Sequence, residues 1–278
     1  MIIGLDVGSS AVKLVGLSNG QLVAATRIKA SDDASSLPDI LSQFLDDNHI
    51  AIADVEKVGM TGVGISHFTG DMLNLPTFRV DEFIADALGA HYLMPSDRMV
   101  VVSMGTGTTF VKYDNGDIAH MGGIGMGGGT LSGLSRLLLD TDNIPYVMSL
   151  ASKGSVSNVN LLISDVCKEQ IPGLPPFATA SLLAKLQHNT KTEDVALAII
   201  WLVLETICSG ATLVARPTGI NDFCLIGSLS SLPQCADIIS IFHDVYGVNI
   251  RVSKQSPFAT AIGAAMYPDS ITSSKSET

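Results

Sequence analysis

Two passages of the sequence follow the same pattern, and this repetition constrains the fold more than any other feature. Each is a run of branched apolar residues that ends in a short turn of glycine and hydroxyl residues and continues into a second apolar run. The first passage spans residues 2–15 and the second spans residues 99–113. Both predict β-hairpins with glycine-rich tips. Because the two passages are about one domain length apart, they indicate a duplicated fold.

The segments around these hairpins alternate between helical and strand-like patterns. Apolar periodicity predicts helices at residues 36–49, 82–93, 129–139, 232–246 and 258–266, and strands at residues 55–61, 77–80, 222–226 and 248–252. The chain is therefore expected to be an α/β protein with two layered domains. We place an N-terminal domain at residues 1–95, a C-terminal domain with a helical insertion at residues 96–266, and a flexible tail at residues 267–278.

The composition argues against several classes of function. The formal net charge is −11 and the chain has only 16 lysine and arginine residues, whereas nucleic-acid binding depends on clustered basic groups. The four cysteines are widely separated and show no C-x-x-C spacing for zinc or an iron–sulfur cluster. We expect reduced, buried thiols in a cytoplasmic protein, since no signal-peptide pattern precedes the first strand.

A long apolar stretch at residues 195–215 has nearly the length of a membrane span. Glu205 interrupts it, and Thr206, Ser209 and Gly210 follow. The stretch therefore predicts a buried helix and no membrane partner. Because it is apolar on all sides, we also expect it to pack against a second copy of itself in a homodimer.

The turn Gly8-Ser9-Ser10 has the chemistry of a phosphate-binding loop. Glycine lets a ligand approach the backbone closely, and serine hydroxyl and backbone N–H groups can hydrogen-bond a phosphate. Lys13 follows the turn. Asp6 precedes it and is suited to Mg²⁺, which prefers one or two carboxylates together with phosphate oxygens. An ordinary hairpin turn with an exposed acid is the alternative for this turn taken alone.

Two further glycine-rich segments strengthen the phosphate interpretation. Residues 105–109 form a second turn of the same kind, and residues 122–130 contain six glycines in nine residues before an apolar helix. The start of a helix, with its free N–H groups, suits an anion; a flexible linker is the alternative for residues 122–130. Neither hairpin turn matches the P-loop or the dinucleotide-binding pattern.

These segments resemble motifs of the type II pantothenate kinases. The order and approximate spacing of the family's motifs hold from residue 2 to about residue 266. Residues 4–13 look like the first phosphate loop of that family, residues 105–109 like the second, and residues 122–134 like its most diagnostic segment. Residues 80–82 resemble the stretch with its catalytic glutamate, residues 225–228 its adenosine-side loop, and residues 256–264 its final helix. The resemblance implies two duplicated actin-like, ribonuclease H-like domains with an ATP cleft between them.

The resemblance also implies the reaction, which is phosphorylation of the primary hydroxyl of pantothenate by MgATP as a step toward coenzyme A. Glu82 would be the catalytic base, and Asp6 would hold Mg²⁺ through water. Glu82, Thr106 and His120 would contact the acceptor. The residues implied to bind ATP are Asp6, Gly8, Ser9, Ser10, Lys13, Gly105, Thr106, Gly107, Thr108, Gly125, Gly127, Gly128, Gly129, Gly227 and Ser228.

One position departs from the family pattern. Where the family has an arginine that holds the substrate, before Gly122-Gly123, this chain has His120-Met121. The acceptor implied by the resemblance is therefore either pantothenate or a close relative such as pantetheine. Asp81 and Asp86 are the alternatives to Glu82 as the base, and Glu82 itself can be read as a surface acid at a helix start, where negative charge is favourable.

Three other functions remain open within the same fold. An ATP-hydrolysing activator or sensor would phosphorylate no small molecule, and activators of dehydratases carry cluster-binding cysteines that are not evident here. A sugar kinase is less well supported, because no sugar-binding Asn-Asp motif stands out. A filament protein would not require Glu82.

Overall fold

The computed structural model describes residues 1–29, 37–66, 68–169 and 171–268. The chain divides into two compact units. The first consists of Met1–Asp97, Val111–His120 and Val252–Thr278, and the second of Arg98–Phe110 and Met121–Arg251. The last ten residues of the predicted tail, residues 269–278, lie outside the described residues, so the predicted flexibility of the tail stays a prediction.

The first unit is built on a five-stranded mixed sheet with the order β3-β2-β1-β4-β5. Its strands are β1 (Ile2–Val7), β2 (Ala11–Ser18), β3 (Gln21–Lys29), β4 (Lys57–Thr61) and β5 (Thr77–Arg79). Its helices are α1 (Leu37–Asp47), α2 (Glu82–Leu93) and α8 (Ala259–Met266). Strands β1 and β2 form the predicted antiparallel hairpin, whereas β1, β4 and β5 run parallel.

Alternation along the strands gives the sheet two apolar faces. Ile3 and Leu5 of β1 pack with Val58 and Met60 of β4 in the cluster that includes Phe44 of α1. Side chains at the intervening positions point to the opposite face, because successive strand residues alternate. That second face is covered by α8, whose Ala261 and Ile262 pack with Val15 of β2. Asp6, Lys13 and Thr61 occupy positions of this second face.

Glycines let α8 approach its neighbours at backbone contact. A Cβ atom at Gly4 of β1 would overlap the carbonyl oxygen of Ala261, and one at Gly59 of β4 would overlap that of Ala264. On α2, a Cβ atom at Gly89 would overlap the carbonyl oxygen of Ala259. Helix α2 is therefore held against α8 by backbone packing, which fixes the position of Glu82 at its first turn.

We expect Gly89→Ala to lower the free energy of unfolding, because α2 and α8 would have to separate to admit the methyl group. Overpacking of this kind costs typically about 1–3 kcal/mol. The matched control is Gly133→Ala, since Gly133 is an exposed helical glycine with no atom within 4 Å of an added Cβ; there alanine is expected to be neutral or to stabilise. Urea unfolding of both variants tests this, and equal stability of Gly89→Ala and the unmodified chain would refute it.

The second sheet has the order β12-β11-β6-β7-β8. Its strands are β6 (Arg98–Met104), β7 (Thr108–Asp114), β8 (Asp117–Ile124), β11 (Asp222–Ile226) and β12 (Asn249–Val252). The helices of the second unit are α3 (Gly128–Leu139), α4 (Ile144–Ala151), α5 (Ile163–Val166), α6 (Thr192–Ala215) and α7 (Cys235–Tyr246). A two-stranded ribbon is formed by β9 (Leu161–Leu162) and β10 (Thr179–Ser181).

Helix α6 is the central helix of the second unit. By length and composition Thr192–Thr218 could cross a membrane, but such helices also occur in soluble cores, and half of its most apolar window is buried. Asp194 near its start accepts hydrogen bonds from the Ser155 N–H group and the Asn158 amide. Glu205 at its middle accepts one from the Thr179 hydroxyl. These partners and the buried apolar side chains fit the predicted core helix.

The predicted homodimer stays a prediction, but α6 offers it little exposed apolar surface. The apolar residues of α6 are largely covered by their own unit, and Leu213 is its exposed large apolar side chain at 62%. Larger exposure occurs on α3, where Leu137 is 77% exposed beside Leu138. A single sequence pattern could not separate these cases, because a helix covered on every side by its own unit looks the same as one shared between two chains.

Two other features differ from the sequence predictions. Residues 122–124 belong to β8 and not to the glycine-rich loop, since Gly122 and Gly123 extend the strand. The closing residues 252–266 group with the first unit, whereas the sequence assigned them to a C-terminal domain. Helix α8, near the end of the chain, packs on the sheet of β1, β2 and β4. No local sequence pattern predicts this long-range contact. The boundary near Pro95 stays a prediction.

Candidate active site

A buried ion pair lies at the tip of the first hairpin. Asp6 and Lys13 are Cα partners on β1 and β2, and Lys13 Nζ donates to Asp6 Oδ2 at 3.0 Å. Both residues are more than 90% buried. The turn between them is closed by the Gly8 N–H group, which donates to the Ala11 carbonyl, while Ser9 and Ser10 are exposed at its tip. The hairpin therefore holds a lysine and a carboxylate directly behind an accessible turn.

Glu82 lies beside this ion pair at the start of α2. Its residue is exposed, yet the atoms packed around the carboxylate withdraw part of its hydration, and this desolvation raises its pKa. The negative charge of Asp6 raises the pKa further, Lys13 opposes the rise, and Asp81 adds to it. Glu82 is thus electrostatically coupled to Asp6 and Lys13, which an isolated surface acid would not be. A raised carboxyl pKa is the property expected of a general base.

The structure separates Glu82 from the two alternative bases. The Asp81 side chain caps α2 by accepting from the N–H groups of Phe83 and Ile84. Asp86 is fully buried and accepts a hydrogen bond from the Thr260 hydroxyl at 2.6 Å. Both acids are therefore engaged in holding α2, although Asp81 is exposed like Glu82.

His120 lies against the residue that follows Glu82. The imidazole ring is stacked on the ring of Phe83, with centroids 4.1 Å apart and ring planes 7° apart. His120 is exposed and Phe83 is half-buried. His120 was predicted from the sequence but Phe83 was not, because a single aromatic residue in a helix is usually a core residue. The stack places a flat aromatic surface with ring nitrogens next to the Glu82 segment.

Thr61 was also missed, and it belongs to the same face as Asp6. The two residues are Cα partners on the parallel strands β4 and β1. The side chain of Thr61 is fully buried, and its hydroxyl has no hydrogen-bond partner among the described residues. The sequence Thr61-Gly62-Val63-Gly64 after a strand was the available signal, since glycine and hydroxyl residues follow a strand in the other two turns as well.

The predicted glycine segments of the second unit come together at the carboxyl end of β6. The N–H groups of Gly128 and Gly129 donate to the carbonyl oxygens of Gly105 and Thr106, at 2.8 and 2.9 Å. The Thr108 hydroxyl donates to the Met126 carbonyl. The residues brought together are Gly105, Thr106, Gly107, Thr108, Gly125, Gly127, Gly128 and Gly129.

This arrangement corrects one expectation. The first N–H groups of α3 were expected to be free for a phosphate, but those of Gly128 and Gly129 hold the 105–106 turn. The glycines instead keep the surface bare of side chains: a Cβ atom at Gly127 would lie 2.5 Å from the Thr106 carbonyl oxygen and 2.8 Å from Gly107 Cα. Gly125, by contrast, has open space around it. The cluster therefore presents exposed backbone at Gly105, Gly125 and Gly129.

The remaining predicted loop, Gly227-Ser228, is part of the same cluster. Strands β6 and β11 are parallel with Ser103 and Ile226 as partners, so Gly105 and Gly227 follow neighbouring strand ends. Gly227 has a φ of +86°, and a Cβ atom there would lie 2.5 Å from the Met104 carbonyl oxygen. Only glycine fits this combination of backbone conformation and close approach. Ser228 then begins a short 3-10 turn.

The donor set of the first unit fits magnesium held indirectly. Within the described ranges no group of three or more histidine, cysteine, aspartate or glutamate residues could hold a metal ion. Asp6 supplies one carboxylate, and its Oδ2 atom is already paired with Lys13. Mg²⁺ commonly retains several waters and takes one or two carboxylates and phosphate oxygens. A contact of Asp6 through water fits these residues, whereas an all-protein site does not.

The buried thiols are poorly suited to ligate a metal cluster, because burial disfavours the thiolate form. Cys208, Cys224 and Cys235 are buried, and Cys167 is half-buried. Burial raises the pKa of Cys208 strongly, that of Cys224 to about 11 and that of Cys235 to about 12. Because the thiolate is the form that binds metals, these three buried thiols are poor ligands.

Comparison with known families gives two matches to family models. The model described as Fumble matches residues 81–266. The model described as the BadF/BadG/BcrA/BcrD ATPase family matches residues 3–139. The two matches together extend over the hairpin with Asp6 and Lys13, the α2 segment with Glu82 and the glycine cluster of the second unit.

Curated relatives match nearly the whole chain. A type II pantothenate kinase of Staphylococcus haemolyticus is 24% identical over 274 residues, which covers 95% of this chain and 98% of that protein. A type II pantothenate kinase of Staphylococcus aureus is 25% identical over 275 residues, with 95% and 98% coverage. The predicted resemblance to this family is thus confirmed.

Solved structures share the fold. An activator of 2-hydroxyisocaproyl-CoA dehydratase from Clostridium difficile, with bound ADPNP, has a TM-score of 0.70 at 21% identity and covers 100% of this chain and 97% of that one. A ROK family glucokinase from Streptomyces griseus, in complex with glucose and AMPPNP, has a TM-score of 0.58 at 13% identity, with 95% and 97% coverage. The predicted α/β, actin-like fold class is confirmed by these similarities.

Proposed function

The chain belongs to the Fumble family, and on that premise we propose that it is an ATP-dependent kinase of the primary hydroxyl of pantothenate or a close relative such as pantetheine. The observation that carries the proposal is the coupling of Glu82 to the buried Asp6–Lys13 pair behind an exposed turn. The curated relatives that match 95% of the chain are type II pantothenate kinases. The reaction would contribute to coenzyme A biosynthesis in the cytoplasm.

Phosphoryl transfer requires positioning and charge neutralisation more than covalent chemistry by the protein. In the proposed reaction the acceptor hydroxyl oxygen bonds to the terminal phosphorus of ATP, and the bond from that phosphorus to the oxygen of ADP breaks. The hydroxyl proton passes to the Glu82 carboxylate. Lys13 would neutralise phosphate charge, and Asp6 would hold waters of Mg²⁺, which when bound would neutralise phosphate charge further.

We assign the glycine and hydroxyl turns to the nucleotide. The Gly8-Ser9-Ser10 turn offers backbone N–H and hydroxyl groups to phosphates, and the second-unit cluster offers bare backbone. Its residues Gly105, Thr106, Gly107 and Thr108, together with Gly125, Gly127, Gly128 and Gly129, would line the nucleotide, and Gly227 and Ser228 would lie on its adenosine side. Thr106 would also contact the acceptor.

The His120–Phe83 stack is the proposed acceptor surface. A histidine pairs with a carboxylate when protonated and hydrogen-bonds an amide in either state. Pantothenate presents the first group and pantetheine the second. Comparing kcat/KM for the two acceptors at the same pH identifies which one the site prefers.

The second candidate is an ATP-hydrolysing activator, and it is favoured by the structural similarity to the dehydratase activator and by the second family match. The raised pKa values of the buried thiols weigh against a cluster-bearing version of it. The test is the rate of ADP release with and without acceptor. A kinase releases ADP in proportion to added pantothenate or pantetheine, whereas release that neither acceptor changes would reject the kinase and favour the activator.

We also propose a homodimer, now on the exposed leucines of α3 and not on α6. Leu137 is 77% exposed and Leu138 is 41% exposed, and adjacent exposed apolar side chains often mark protein contacts. Light scattering is expected to give about twice the 29.1 kDa chain mass. Leu137→Glu should return the mass to that of one chain, and a monomeric unmodified protein would reject the proposal.

A further inference from the structure

The hydroxyl of Thr61 is the feature of the active-site face that the proposed reaction leaves unexplained. It is enclosed by protein and has no hydrogen-bond partner among the described residues. Buried polar side-chain atoms are nearly always paired, because an unpaired one loses its hydrogen bonds to water without replacement. Valine has the same shape and would avoid that cost. A threonine here therefore calls for a partner that the free protein does not supply.

The position of Thr61 in the sheet points to the partner. Lys13, Asp6 and Thr61 are Cα partners in turn on the neighbouring strands β2, β1 and β4. Paired residues of neighbouring strands have their side chains on the same face, so Asp6 lies between Lys13 and Thr61. Asp6 Oδ2 is held by Lys13, and the Asp6 carboxylate is the polar group paired with Thr61 on the neighbouring strand.

The backbone around Thr61 holds it beside Asp6. The Gly62 residue that follows has a φ of +95°, and a Cβ atom there would lie 2.6 Å from the Val7 carbonyl oxygen. The preceding residue, Met60, accepts a hydrogen bond from the Val80 N–H group at 2.8 Å, and Val80 leads directly into the Glu82 segment. Thr61 is therefore fixed between the strand of Asp6 and the segment of Glu82.

We propose that Thr61 is a positioning residue for nucleotide binding: its hydroxyl has no partner in the free protein and donates to the Asp6 carboxylate when the phosphates of ATP attract Lys13. Lys13 pairs with Asp6 in the free protein and with the phosphates in the complex. The Thr61 hydroxyl then takes the place of Lys13 as the donor to the Asp6 carboxylate. Asp6 then stays hydrogen-bonded and oriented at the moment it loses its contact with Lys13. This inference rests on the proposed nucleotide site, since it names a further residue of that site.

Melting temperatures measured with and without MgATP separate the effect of Thr61 on the free protein from its effect on the complex. In Thr61→Val the free protein loses an unpaired hydroxyl, so its melting temperature should equal or exceed that of the unmodified chain. In the complex with MgATP the variant lacks the hydrogen bond from Thr61 to the charged Asp6 carboxylate, so its affinity for MgATP should fall on the order of 10-fold. The increase in melting temperature at a fixed MgATP concentration should therefore be smaller in the variant. Thr61→Ser should restore that increase.

Thr260→Val is the matched control for the free protein. Its hydroxyl is also buried in the first unit but donates to Asp86, so this variant should melt at a lower temperature. If Thr61→Val instead melts lower in the same way, or if it keeps the full increase with MgATP, Thr61 does not have the proposed role. These readings need no acceptor. If the unmodified chain responds to MgATP but phosphorylates neither pantothenate nor pantetheine, the kinase proposal fails while the Thr61 result still stands.

Discussion

Glu82→Gln is expected to lower kcat on the order of 10²-fold or more, the usual contribution of a general base. Glutamine keeps the size of the side chain and can still hydrogen-bond the acceptor, but it cannot take the proton. ATP affinity should remain nearly unchanged, because the lost carboxylate contacts the acceptor and not the nucleotide. Steady-state kinetics with acceptor and ATP varied separately measure both effects. Near-normal turnover would remove Glu82 from the mechanism.

The pH dependence of turnover provides a second test of Glu82 as the base. A base acts when deprotonated, so turnover should be present above the Glu82 pKa and should fall as the pH drops through it. Because burial, Asp6 and Asp81 raise that pKa, the acid limb should lie at a higher pH than an ordinary glutamate would give. Asp81→Asn preserves the helix cap and removes one charge that raises the pKa. The limb should then move to lower pH; an unmoved limb would assign it to another group.

Gly127→Ala is expected to have the second largest effect, this time on nucleotide use. The added methyl group would displace the 105–107 turn, since its Cβ atom would lie 2.5 Å from the Thr106 carbonyl oxygen. A displacement of about 1 Å at a reacting site can cost on the order of 10²-fold. We expect kcat/KM for ATP to fall by about that factor, with the KM for ATP raised.

The control for Gly127→Ala is again Gly133→Ala, two turns along the same helix with open space around it. It adds the same methyl group and should leave kcat/KM for ATP unchanged. Far-ultraviolet circular dichroism and melting of both variants establish that the fold is retained. A Gly127→Ala enzyme with the ATP kinetics of the unmodified chain would show that the cluster does not shape the nucleotide site.

Much of the fold could be predicted because its elements carry local signals. The strand at Asp222–Ile226 and the helix at Glu82–Leu93 were predicted with the bounds that the structure gives, since apolar runs bounded by turn residues are unambiguous. The return of α8 to the first unit was not predictable, because glycines at positions 4, 59 and 89 reveal a close approach only when the partner is known. Edge strand β3 was missed since the apolar residues Val23 and Ala25 on its exposed face obscure the polar and apolar alternation.

The candidate site was predictable where chemistry is concentrated in short segments. Asp6 and Lys13 flank one turn, so their ion pair follows from hairpin pairing. The stack of Phe83 on His120 joins residues 37 positions apart, and the Thr61–Asp6 pairing joins separate parallel strands. Such pairs depend on strand order and helix placement. The use of the Gly128 and Gly129 N–H groups by the 105–106 turn depends on tertiary structure in the same way.

Transfer of a labelled phosphoryl group from ATP to an acceptor tests the proposed kinase activity most directly. The purified chain is incubated with magnesium and ATP labelled at its terminal phosphate, and pantothenate and pantetheine are supplied in separate reactions. We expect the label to appear on the acceptor in an amount equal to the ADP formed, and Glu82→Gln to abolish both. Label released only as inorganic phosphate, at a rate independent of either acceptor, would contradict this expectation.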